Sequence, residues 1–220
     1  MSCLYDFPNN ASFGKFLPKT KIYEHSSPTT AVKKLFVNDV EKIIWSYKLS
    51  PETINLPAKD FVQEIQVFTI LLKKKTLKYD VLGAIDKAIK SPILFVLSFG
   101  NELRYVAAYK RPSEADKNRW VVSQYFESKW MSDKTKKVVL PVVLDLKTLY
   151  FSILKSVIPH SVKQNETVDT FVDRMEQLKI KEREAVKLKT RMNKEKQFNR
   201  KVEMNAELRI LNNEIDDLNR

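Results

Sequence analysis

The chain has 220 residues, 43% of them hydrophobic and 30% charged, enough apolar material for one sizeable domain with an appendage and too much for wholesale disorder. Its 39 Lys and Arg against 27 Asp and Glu leave a net charge of +12, which favours polyanionic partners, nucleic acid foremost. Three glycines are too few for a phosphate-cradling loop, and a single cysteine, Cys3, supports neither a disulfide framework nor a cysteine metal site.

The opening residues MSCLYDFPNN lack the basic-then-apolar pattern of a secretory signal. The longest apolar run, Pro92 to Phe99, falls far short of the ~20 residues a membrane span needs. The expectation is a cytoplasmic protein with no membrane contact. His25 and His160 stand far apart, each in a segment that reads as loop, so a histidine metal site is not expected.

Residues 1–29 show no sustained period and read as an N-terminal arm ordered by contact. From Thr30, apolar residues at Val32, Leu35, Phe36, Val40, Ile43, Ile44 and Tyr47 recur every three to four positions and predict a helix, which Asn38-Asp39 could interrupt. Ser50-Pro51 predicts a fresh helical turn, with a cap and a proline at the first helical position, closed before Pro57. Phe61 to Lys73 reads as a strand apolar on both faces, hence central.

Thr76 could cap a helix carrying Leu77, Val81, Ile85 and Ala88, which Ser91-Pro92 stops. Two β-prone runs, Ile93 to Phe99 and Leu103 to Tyr109, flank Gly100-Asn101, residues that tolerate the positive φ of a tight hairpin. Trp120 to Phe126 reads as a strand, and Val138 to Leu144 as a short extended segment. Asp145 can cap a helix that Pro159 closes. The order predicts an α+β domain over residues 30–160, with a mixed or antiparallel sheet of about four strands and flanking helices.

Residues 161–220 form a separate tail, free of proline and glycine from Val168 on. Phe171, Met175 and Leu178 keep heptad spacing at one end; Met204, Leu208, Leu211, Ile215 and Leu218 keep it at the other. The charged stretch Lys187 to Lys201 divides them. This pattern predicts a long, coiled-coil-like C-terminal helix with two docking seams, needing a protein partner or a second copy of the chain.

Two constellations carry possible chemistry. Asp60, Glu64 and Gln66 loosely match the acid, acid and lysine with which restriction-endonuclease-like nucleases hold Mg²⁺, and strand alternation sets Glu64 and Gln66 on one face. Gln66 stands where that pattern wants lysine, and Asp60 is only four residues away instead of on a preceding strand. The three read as polar residues at a strand start. No catalytic residue and no cofactor are assigned, with Mg²⁺ entering only under the nuclease alternative centred on Glu64.

The second constellation is cationic: Lys73, Lys74 and Lys75; Lys110 and Arg111; and Lys134, Lys136 and Lys137. All fall at strand ends or loops, and they form one nucleic-acid-binding surface if those ends meet. Aromatic residues beside bases, such as Arg104-Tyr105 and Lys129-Trp130, fit base stacking less well than a sheet face.

Leu35 to Trp45 (LFVNDVEKIIW), Tyr47 to Thr53 (YKLSPET), Glu64 to Phe68 (EIQVF), Tyr109-Lys110-Arg111 and Lys196 to Glu203 (KQFNRKVE) together resemble the prokaryotic domain-of-unknown-function family 4391. The resemblance runs from about Lys15 to the end of the chain. That family carries no assigned activity and transfers no site residue. Such families often sit beside helicase and DNA-methyltransferase genes in restriction-like or phage-defence loci, which points to partners only. The resulting expectation is a non-catalytic accessory protein of a DNA-handling assembly, with the nuclease and a homodimeric scaffold indifferent to DNA as alternatives.

Overall fold

The computed structural model describes residues 4–116, 119–158, 160 and 162–219; Cys3 and Pro159 lie outside them. The chain divides into two compact units, Met1–Pro159 and His160–Arg220. No described helix is long and apolar enough to cross a membrane.

In the first unit the order is β1 (Leu4–Asp6), a 3-10 turn (Asn9–Ala11), β2 (Ser12–Phe16), α1 (Lys19–Ser26), α2 (Thr30–Asp39), β3 (Val40–Leu49), α3 (Pro51–Ile54) and β4 (Ile65–Leu72). It continues with α4 (Asp80–Ala88), β5 (Ile93–Phe99), β6 (Glu102–Pro112), β7 (Trp120–Glu127), β8 (Met131–Ser132), β9 (Lys137–Val139) and α5 (Leu146–Val157). A seven-stranded sheet runs β2-β3-β4-β5-β6-β7, with β8 also on β6; β1 and β9 pair apart from it. Within the large sheet the pairs are antiparallel except β4–β5, which are parallel and joined through α4.

The architecture is mixed α+β, as expected, but the sheet is larger than the four or so strands the sequence suggested. The difference lies in two places. The helix expected from Thr30 to Tyr47 stops at Asp39, and Val40–Leu49 is a strand. Its β-branched and aromatic residues suit a sheet, but the pairing of β3 with β4 shifts between Val40 and Lys42 and again between Trp45 and Tyr47. Each shift inserts a residue and breaks the alternation, which leaves a spacing that imitates a helix. The N-terminal segment holds β1, β2 and α1, each too short to display a period.

Other signals act as expected. Ser50 and Thr53 form a reciprocal capping box at α3. Gly100 turns β5 into β6 at φ 56°, and the Asp145 side chain caps α5 by accepting from Thr148 N at 2.7 Å. Helix α4 begins at Asp80, later than a Thr76 cap implies, and β4 begins at Ile65 because a tight turn joins Lys59 to Val62 through Asp60 at φ 52°. An apolar cluster joins β3, β4 and β5 to α1, α2 and α4 through residues such as Ile22, Phe36, Phe68, Ile85 and Phe95.

In the second unit α6 (Val168–Lys194) and α7 (Phe198–Asn219) lie antiparallel. Lys181 pairs with Glu214 at 2.7 Å, and Arg174 Nη1 donates to Leu218 O at 2.7 Å. The long C-terminal helix is thus folded back at residues 195–197. The Glu195 carboxylate accepts from Lys196 N and Gln197 N at 2.8 and 2.9 Å and seals the bend.

Candidate functional site

The β3–β4 register sets Trp45 opposite Phe68, and strand alternation puts Gln66 on the same face two residues before Phe68. Helix α1 brings Lys21, Ile22 and His25 over that face, and the end of α4 brings Ala88 and Ile89. Together with Leu17 and Glu64 they enclose a cavity of about 310 Å³. Gln66 is 2% exposed, yet its Oε1 accepts no hydrogen bond, and the buried Trp45 Nε1 donates none. Such orphaned pairs are rare in folded chains.

Of the three residues with a nuclease-like spacing, Glu64 and Gln66 meet at this cavity. Asp60 does not line it; its exposed carboxylate pairs with Lys147 at 2.6 Å. Glu64 lies just ahead of β4, not on it, and its two oxygens are engaged by Lys48 at 3.0 Å and by Ser91 Oγ at 3.0 Å. Among the described residues no three His, Cys, Asp or Glu are grouped as a metal site. Sequence reasoning missed Trp45, Lys21 and His25. His25 lies on α1, not in a loop, and its spacing from Lys21 and Ile22 is helical, a signal hidden because the helix is so short.

Lys110 corrects an expectation outright. It is 1% exposed, so it belongs to no solvent-facing cationic surface. Its Nζ donates to Asp86 O at 2.7 Å, approaches Asp86 Oδ1 at 3.2 Å and also donates to Ile89 O, which closes the C-terminus of α4. The second Asp86 oxygen accepts from Tyr125 OH. Burial pushes the Asp86 carboxyl up and the Lys110 ammonium down, each opposed by the other's charge. Burial and the Asp86 charge raise Tyr125. A cavity of about 560 Å³ lies beside this network, with Lys87, Lys90, Arg119 and Trp120 in its walls.

The cationic clusters divide. Lys75 pairs with Glu102 and lies 5.5 Å over the Trp130 ring, whose centroid is 4.8 Å from the Arg104 guanidinium carbon. Strand β8 pairs with the start of β6, and Asp133 N donates to Asn101 O at 2.9 Å. That contact brings the exposed loop of Lys134 and Lys136 to the sheet end where Lys75 sits. Lys137 follows on β9, paired with β1. Lys110 and Arg111 stand at the other end of β6, about 25 Å away at strand rise, so the three clusters do not form one surface. Lys73 and Lys74 have structural work: Lys73 Nζ donates to Val37 O at 2.7 Å, and Lys74 pairs at 2.7 Å with Asp39, which is 1% exposed.

The seam residues Met204, Leu208, Leu211, Ile215 and Leu218 are half-buried on a helix otherwise mostly exposed, and α7 packs against α6. The stripe expected to await a partner therefore has one within the chain. The exposed apolar residues of the hairpin are others: Ile180, Val186, Phe198, Val202 and Ile210.

A family model described as "Domain of unknown function (DUF4391)" matches residues 5–215, and the chain belongs to that family. No curated protein and no solved structure matches the chain.

Proposed function

We propose that this member of the DUF4391 family is an accessory, non-catalytic subunit of a nucleic-acid-handling assembly of the restriction or phage-defence kind. In this reading the first unit meets a phosphate backbone, or a subunit bound to one, and the helical hairpin holds a protein partner or a second copy. Helicase and DNA-methyltransferase subunits are the partners it names.

The observation that supports it best is the placing of Lys75 and Arg104 over the Trp130 ring, at the end of the sheet to which the β6–β8 pairing brings the loop of Lys134 and Lys136, on a chain of net charge +12. Cations near an aromatic face suit a strand whose phosphates and bases are both within reach. Counterion release makes such binding fall as salt rises, with a slope that counts the phosphates neutralised.

The test is fluorescence anisotropy of duplex and single-stranded oligonucleotides of unrelated sequence over a salt series. Changing Lys75, Lys134 and Lys136 together to Ala should weaken binding about equally on all sequences. It should also flatten the salt slope by roughly one for each phosphate that these lysines neutralise. No binding at low salt, or a slope the triple variant leaves unchanged, overturns the reading. Lys73 and Lys74 are left intact, because their bonds to Val37 and Asp39 would confuse folding with binding.

A further inference from the structure

The cavity between the end of α4 and the start of β7 collects positive charge. Lys87 stands in the last turn of α4, Lys90 just after that helix and Arg119 just before β7, and all three are exposed residues of the cavity wall. Among the described residues no acid lies within ion-pair distance of any of them. Ile89, Val122 and the Trp120 ring, which meets Phe61 edge-on at 6.3 Å, add apolar and aromatic surface. The volume, about 560 Å³, is that of a site for an organic molecule of mononucleotide size.

The groups here that would repel an anion are neutralised. Asp86 is the one carboxylate among the described lining residues; it is 5% exposed and held by Lys110 and Tyr125. A helix C-terminus is the negative end of its dipole, but Asp86 O and Ile89 O already accept from Lys110 Nζ. Lys110, itself buried, thereby leaves the three outer cations unopposed. A carboxylate ligand would bring one charge and two oxygens to them. A phosphate monoester brings about two charges and three acceptor oxygens, which matches three cations on flexible side chains.

We infer that this cavity binds a nucleoside monophosphate group, its phosphate held by Lys87, Lys90 and Arg119 and its base lying along the Trp120 wall. The group can be a free nucleotide or the phosphorylated end of a strand, and the two sources share the recognition chemistry. The inference does not rest on the lysine edge. Trp120 pairs with Pro112 at the far end of β6, whereas Lys75 pairs with Glu102 at its start.

The full chain is titrated calorimetrically with deoxyadenosine monophosphate, with deoxyadenosine and with inorganic phosphate. Two short single strands of one sequence follow, one with a 5′-phosphate and one with a 5′-hydroxyl. The unmodified protein should bind the mononucleotide saturably, and more tightly than either the nucleoside or inorganic phosphate. A preference for the phosphorylated strand without binding of the mononucleotide assigns the group to a strand end; binding of the mononucleotide assigns it to a free nucleotide.

Lys87→Ala and Arg119→Ala should each weaken that binding by about tenfold, the worth of one charge-assisted hydrogen bond, and the triple change with Lys90→Ala should abolish it. All three residues are exposed, so the variants should melt as the parent does. Trp120→Leu should weaken the mononucleotide and leave inorganic phosphate as it was; should that variant fail to fold, the cation variants still decide. The inference is overturned if neither the mononucleotide nor the strand shows any dependence on its phosphate, if inorganic phosphate binds as tightly as the mononucleotide, or if the triple variant binds as the parent does. Changing Lys75, Lys134 and Lys136 should leave the preference for the phosphate in place, so this site and the lysine edge can each fail alone.

Discussion

The Lys110 ammonium and the Asp86 carboxylate stand 3.2 Å apart with side-chain exposures of 1% and 4%. Removing two charges from water is costly, and what offsets it here is saturation. Lys110 has three oxygen partners on α4 and its end, and Asp86 adds the Tyr125 hydroxyl. Asp86→Leu leaves a buried ammonium without its counter-charge, and Lys110→Met leaves a buried carboxylate. Each single change should cost about 3–5 kcal/mol in urea denaturation. The double change should cost clearly less than the sum; strict additivity would show that the two groups are not coupled.

Asp145 predicts how the first unit responds to acid. The Thr148 backbone N–H, then Lys59 at 3.0 Å, hold its carboxyl down to about 2. Its folded value lies below the unfolded one, so its contribution is present above roughly pH 4 and is lost as pH falls toward 2. Asp145→Asn keeps a good helix cap but has no proton to gain. Its melting temperature should start lower at pH 7 and decline less than the parent's between pH 4 and 2. Parallel declines would place the acid-sensitive group elsewhere.

What could be read from the sequence followed from chemistry that is local. Gly100-Asn101 marks a hairpin, and Asp145 and Ser50 mark helix starts, because each acts on backbone within a few residues. Strand β3 was hidden by its two register shifts, which replace alternation with a helix-like spacing. Lys110 misled for a different reason. A lysine at a strand end usually faces water, and its burial depends on Asp86, which sits among the buried residues of a helix 24 positions earlier. Sequence does show both charges interrupting apolar runs, but only the fold shows that they meet. The cavity was illegible because it needs α1, the β3–β4 register and the end of α4 at once.

Leu211 tests the hairpin. It is half-buried on the stripe of α7 that packs on α6, so an aspartate there places a charge in a largely desolvated seam. Leu211→Asp should lower helicity at 222 nm and expose the bend to proteolysis near residues 195–197. Changing the exposed Val202 and Ile210 to Asp should leave helicity intact while removing any self-association or partner capture by this unit. Loss of association in Leu211→Asp with unchanged helicity would return the seam to an intermolecular role.

Glu64 separates the accessory reading from the Mg²⁺-dependent nuclease. Its carboxylate is committed to Lys48 and Ser91, so truncation leaves both without their partner, and Glu64→Ala should lose about 1–3 kcal/mol. Glu64→Gln keeps an oxygen for Ser91 but forfeits the ion pair, which is partly exposed, and should lose less. A metal ligand behaves in the opposite way. Acids gathered for Mg²⁺ repel one another without it, and removing one spares or improves stability while activity vanishes. Melting curves of the parent and both variants, with and without Mg²⁺, distinguish the cases. The expected result is destabilisation graded from Gln to Ala, with the parent indifferent to Mg²⁺. A Mg²⁺-induced rise in the parent's melting temperature that both variants abolish would replace the accessory subunit with a nuclease centred on Glu64.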